Sequence, residues 1–120
     1  MIISIHQPNY FPWIGYFFKI LKSDAFVFLD DVQFSKNSYI NRAVILENKK
    51  DTWITIPVKK KLNYKINQVK IADCSWKKKH LSKIKNAYQK AKYFSEIWDI
   101  MEDLFTKLEY PDLASTNQQI

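Results

Sequence analysis

The stretch HQPNYFPWIGYFFK, residues 6–19, gathers the side chains best suited to chemistry: a histidine, the amides Gln7 and Asn9, several aromatics and the only glycine of the chain. Histidine changes charge most readily near neutral pH and serves as a general base or a phosphate ligand. Gly15 has two readings. A missing side chain near a helix N-terminus lets a nucleotide or phosphate approach the backbone N–H groups and the positive end of the dipole. It equally permits close packing of helix on strand. A second group follows the apolar run AFVFL: Asp30 and Asp31, then Lys36, Asn37, Asn41 and Arg42 around the polar loop QFSKNSYIN. The two acids suit a metal or the orientation of a base, and suit a solvated strand end equally well. Lys36 and Arg42 are of the type that holds phosphates.

For these groups to act together, the elements around them must bring them to one place. MIISI, residues 1–5, is β-branched and reads as a buried strand with His6 at its C-terminal edge. Pro8 and Pro12 keep the next residues out of helix. Ile14, Phe17, Phe18 and Leu21 then recur at helical spacing, and AFVFL reads as a second strand. Strand, turn, helix and strand suit a right-handed crossover with a parallel pair. Ligands of open α/β sheets sit outside the carboxyl ends of the strands, where His6, Gln7, Asp30 and Asp31 would lie, with the 32–42 loop folding over the same crevice. Each member has a plain alternative. His6 can simply bond a neighbouring carbonyl, and Trp13, Tyr16 and Phe17 can simply be core.

Downstream, RAVILE and TWITIPV flank NKKD as an antiparallel hairpin with a four- or five-residue connection. Residues 59–63 form a basic loop, and INQVKIA alternates as a further strand. Ser75 caps a helix reaching about residue 91, with Trp76, His80, Ile84, Ala87 and Tyr88 near one face. A second helix spans about 95–108, and Asp112 opens a third after Pro111. Neither a P-loop nor a dinucleotide-type glycine pattern is present, nor an HExxH helix, nor a triad readable from spacing.

Composition bounds the class. The chain has 120 residues, 47% of them apolar and 16% aromatic, and is read as one globular domain or part of a larger one. The formal net charge is +7, concentrated in lysines 59–61, 77–79, 83 and 85. Such a face attracts nucleic acid, anionic headgroups or phosphorylated substrates, or is merely solvated. The alternatives to an enzyme are a non-catalytic module that holds single-stranded nucleic acid or another anionic ligand through lysines and aromatics, and a truncated, inactive fragment. Cys74 stands alone, which excludes an intrachain disulfide and a cysteine metal cluster. With no signal-peptide pattern and no apolar stretch of membrane-spanning length, the expected compartment is a reducing cytoplasm.

The segments IHQPNYFPWIGYFFKI, FVFLDDVQFSKNSYINRAVI and WITIPVKK resemble the WbqC-like protein family, most densely over residues 5–58. The resemblance implies a protein of bacterial polysaccharide and O-antigen gene clusters, in some members labelled a glycine or aminoacyl-type transferase. It also implies members nearly twice this length, of which this chain looks like the amino-terminal half. WIGY, residues 13–16, occupies the place of the HxGH-type motif of Rossmann-like nucleotidylyltransferases, a more distant resemblance. Gly15 matches that motif, while Trp13 and Tyr16 replace its two histidines.

The expected fold is thus α/β: a Rossmann-like three-layer core beginning with a βαβ unit, plus an antiparallel hairpin and C-terminal helices. The expected activity is ATP-dependent aminoacyl transfer, with magnesium, to a nucleotide- or lipid-linked amino sugar. Here His6 is general base or phosphate ligand, Lys36 and Arg42 hold phosphates, and Gln7, Asn9 and Asp30 orient the sugar or metal. Tyr10, Trp13, Gly15, Tyr16, Lys19, Asp31, Gln33 and Asn41 complete the candidate binding residues.

Overall fold

The β-branched opening run forms β1 (Ile3–His6), followed by α1 (Ile14–Lys22) and β2 (Ala25–Phe28). This computed structural model describes residues 1–59, 61 and 63–120, so Lys60 and Leu62 of the expected basic loop lie outside the described residues. β1 and β2 pair in parallel, Ile3 opposite Ala25 and His6 opposite Phe28. The strand–turn–helix–strand order is as expected; the burial is not. Tyr16 of α1 packs edge-on against His6 and Phe26, with ring centroids 4.8 and 5.4 Å away. Side chains alternate between the faces of a strand, so the face under α1 carries Ser4, His6 and Phe26. The aliphatic Ile3 and Ile5 lie on the other face, 52% and 58% exposed. The helical stripe Ile14, Phe17, Phe18 and Leu21 also points outward. One helix on a two-stranded sheet covers a single face, and the expected burial of the first strand would need a second layer.

β3 (Arg42–Glu47) and β4 (Lys50–Thr55) form the expected antiparallel hairpin, Arg42 opposite Thr55 and Glu47 opposite Lys50. Its connection is shorter than expected. Only Asn48 and Lys49 make the turn, both in the left-handed region with φ of 51° and 62°. Two such residues form the turn whose twist matches the flanking strands, so the ladder runs on into NKKD.

The expected strand in INQVKIA is mostly a 3-10 turn, Ile66–Gln68. The Gln68 side-chain oxygen accepts from the Lys65 N–H at 2.9 Å. Ile66 and Val69 are both fully buried. Positions three apart eclipse in a 3-10 turn, which alternation in a strand would not allow. Only Lys70–Ile71 of the segment form a strand, β6, which pairs antiparallel with β5 (Val58–Lys59).

The three later helices are α2 (Trp76–Tyr88), α3 (Phe94–Lys107) and α4 (Leu113–Gln119). Asp112 caps α4 as expected, its carboxylate accepting from Ser115 N–H at 2.8 Å. Ser75 stands before α2 without capping it through its side chain. Its hydroxyl and backbone N–H both donate to Asp73, whose carboxyl is held below its ordinary pKa by those bonds. The hairpin's inner face, α2, α3 and α4 close one core around Ile54, Ile56, Ile66, Phe105 and Leu113.

The described residues thus form a mixed α/β fold with four helices and three separate two-stranded sheets. The Rossmann-like three-layer core is not seen in them. Among the described residues, no helix is long and apolar enough to cross a membrane.

Candidate functional site

The prolines of the HQPNYFPW segment keep it out of helix after β1, it bends at Tyr10 and Phe11, and the rest of the chain ties it down. Tyr10 N–H donates to Tyr39 O at 3.0 Å, joining this segment to the 35–41 loop. The buried Asn117 of α4 donates from Nδ2 to Pro8 O and to Ile40 O, at 3.1 and 2.6 Å, and so clamps both loops. Tyr10 is fully buried, and its hydroxyl lies 2.7 Å from His80 Nδ1. His80 Nε2 lies 3.1 Å from Thr55 O, which can only accept. The proton therefore sits on Nε2, and Nδ1 accepts from Tyr10. Burial foremost, and the charge of Lys83 as well, lower the His80 pKa to about 4 against the Thr55 carbonyl. Burial likewise pushes the Tyr10 phenol well above its ordinary value. Both are neutral structural groups, consistent with His80 as a helix-face residue.

Phe11 is the backbone outlier of this segment. Its φ of 43° is uncommon for a bulky side chain, and Pro12 follows it. The ring stacks on Phe105 with centroids 6.0 Å apart, which anchors the turn in the core.

Between the two loops and β3 lies a cleft of about 450 Å³, lined by Asn9, Tyr10, Phe11, Pro12, Trp13, Tyr39, Ala43 and Val44. Trp13 and Tyr39 are exposed aromatics at its walls, and the Tyr39 ring meets Trp53 at 5.6 Å. The Arg42 guanidinium stacks over Trp53 at 4.0 Å and donates to Asn37 O. A smaller cleft of about 220 Å³ is lined by Lys36, Asn37, Asn41, Arg42 and Thr55, together with Phe34 and residues 56–58.

The candidates divide between these places. Asn9, Tyr10 and Trp13 line the first cleft; Lys36, Asn41 and Arg42 line the second. Asn41 is buried and donates to Ile56 O at 3.1 Å, a bond that holds its loop to the end of the hairpin. His6 lines neither cleft: its Nδ1 donates to Gln7 O at 2.8 Å, leaving Nε2 as the basic nitrogen. Tyr16 is core, its phenol pKa raised by burial, whereas Trp13 and Phe17 are exposed. Lys19 and Asp31 are exposed, and Gln33 bridges to Lys65. Asp30 takes long contacts of 3.4 Å from the amides of Asn67 and Gln118. Among the described residues, no three or more His, Cys, Asp or Glu side chains gather as a metal site.

Gly15, the second residue of α1, makes room for a neighbour. A Cβ there would lie 1.7 Å from the Trp13 ring, so the indole lies across the glycine backbone. Tyr39 escaped the sequence argument altogether; its only signal is an aromatic in a polar loop.

Residues 7–120 match the WbqC-like protein family. The chain belongs to that family. A WbqC-like relative, the "Uncharacterized protein Rv1507c" of Mycobacterium tuberculosis, is 32% identical over 120 residues. The match covers 98% of this chain and 52% of that protein, so the chain spans about half the length of its relative. No solved structure matches this WbqC-like chain.

Proposed function

We propose that this WbqC-like chain carries the sugar-recognising part of a transferase of bacterial surface-polysaccharide biosynthesis. Its substrate in this reading is an amino sugar linked through phosphate to a nucleotide or lipid carrier. The observation that carries the reading is the cleft between Trp13 and Tyr39. Aromatic faces accept the C–H face of a sugar ring, and the Asn9 amide and backbone groups are suited to its hydroxyls. Arg42, stacked on Trp53, and Lys36 fit the phosphate.

In aminoacyl transfer to such a sugar, the amine lone pair attacks the carbonyl carbon of an acyl group activated by ATP as an acyl phosphate or adenylate. The C–N bond forms as the acyl C–O bond breaks, the phosphate or nucleotide leaves with that electron pair, and a base takes the amine proton. His6, the expected base, sits at the end of the strand that leads into the cleft loop but lines neither cleft, so the reading does not assign it that proton. Lys36 and Arg42 fit a phosphate of ATP equally, but a carboxylate set for magnesium is not gathered among the described residues.

Calorimetric titration with a panel of nucleotide-linked amino sugars tests the reading. Saturable binding should weaken at least tenfold in Trp13→Ala, with the melting temperature unchanged. Failure of the whole panel to bind, or binding indifferent to Trp13, would sink it. Strong, steeply salt-dependent binding of random oligonucleotides would favour the nucleic-acid module instead.

A further inference from the structure

The β1–α1–β2 unit leaves two apolar faces uncovered. Ile3, Ile5 and Val27, on the sheet face away from α1, are 52%, 58% and 44% exposed. Ile14, Phe18 and Leu21, on the outer side of α1, are 85%, 59% and 82% exposed. Sequence and pairing both mark this as an unfinished sheet. MIISI and AFVFL are nearly continuous apolar runs, the composition of strands buried on both faces. Parallel sheets occur almost only with both faces covered, and two-stranded sheets are marginal alone. Nothing among the described residues pairs with the outer edge of β1 or β2.

We infer that this surface is the docking site for the other half of a full-length family protein. That half would lay an apolar layer on Ile3, Ile5 and Val27 and continue the sheet at a free edge. Two observations select this occupant. The relative matched by 98% of this chain has about half its own length outside the match, enough polypeptide for a layer of comparable size. A second copy fits worse. Two-fold symmetry across a sheet edge pairs like strands antiparallel, whereas the runs here are of the parallel, doubly covered kind. The inference does not depend on the sugar-binding reading, because Ile3, Ile5 and Val27 are not among the residues that line the cleft.

Amide hydrogen exchange on this chain and on the intact mycobacterial relative decides it, with the hairpin β3–β4 as internal reference in each protein. In this chain the β1 and β2 amides should exchange at least a hundredfold faster than those of the hairpin. In the relative the corresponding strands should exchange as slowly as its hairpin. The inference is overturned if β1 and β2 are already as protected as the hairpin in this chain, or if the gap persists in the relative. Protection that grows with the concentration of this chain would also overturn it, since a second copy would then be the occupant. Ile5→Lys supplies a second readout: the melting temperature of this chain should stay within 2 °C, and a drop beyond that would mean the face is already buried.

Discussion

Two regions of the molecule use the same residue types to opposite effect. In the region from residue 40 onward, Ile54, Phe105 and Leu113 are at most 1% exposed. In the β1–α1–β2 unit, Ile3, Ile5 and Leu21 are more than half exposed. Apolar content does not separate the two. The number of layers does: hairpin, α2, α3 and α4 surround one core, while the first unit is a strand pair with a helix on one side. Periodicity tells which side chains want cover. It does not tell whether a neighbour arrives to give it.

The largest effect should come from taking a large side chain out of the closed region. Phe105→Ala removes a ring that touches Phe11 and Trp76 and should cost about 3–5 kcal/mol in urea denaturation. Leu21→Ala, at 82% exposure, should stay within about 0.5 kcal/mol. Equal losses would break the comparison, because Leu21 would then have a partner.

The next effect is set by pH and belongs to the closed region alone. Its folded pKa of about 4 keeps His80 neutral in the native protein, while its ordinary value is 6.5. The unfolded chain therefore binds more protons between these values. The stability due to neutral His80 is whole above pH 6.5 and falls away as pH drops toward 4, by about 3 kcal/mol in all. His80→Gln keeps a donor for Thr55 O and an acceptor for Tyr10 while removing the titration. The difference in unfolding free energy between wild type and variant should narrow from pH 7 to pH 4.5. A difference constant over that range would mean His80 is not held neutral.

How much was legible beforehand follows the same division. Local signals were sufficient for the parallel pair, for the hairpin, for α2 and α3 and for the cap of α4. Ile97, Met101, Leu104 and Leu108 state a helical period, and Asp112 states a cap, without reference to anything distant. The misreadings came where a local pattern had two geometric solutions or where the outcome depended on a remote partner. Ile66 and Val69 satisfy a 3-10 turn better than a strand once Gln68 reaches back to Lys65. Asn48 and Lys49 both accept a left-handed backbone, so a short turn replaced a longer loop. The cleft was half legible. Asn9, Tyr10 and Trp13 were readable from the odd composition of their segment. Tyr39 and the Asn117 clamp were not, because the bonds from Asn117 to Pro8 and Ile40 span 109 and 77 positions.

The smallest expected effect on stability tests where the two regions meet. Gly15 belongs to the open unit, and the Trp13 ring that crosses it walls the cleft against the closed one. Alanine improves helix propensity over glycine by up to about 1 kcal/mol. A methyl group at Gly15 cannot coexist with the indole as placed, since their separation would be 1.7 Å. Trp13 is 64% exposed, so it can swing outward at little cost to folding. Gly15→Ala should therefore leave the melting temperature unchanged or slightly raised, shift the Trp13 fluorescence, and weaken amino-sugar binding about as much as Trp13→Ala does. Weakened binding without lost stability would assign the glycine to the cleft through the indole it admits. A fall in stability with binding intact would assign it instead to packing of α1 on its strands, and the lone glycine would then say nothing about a ligand.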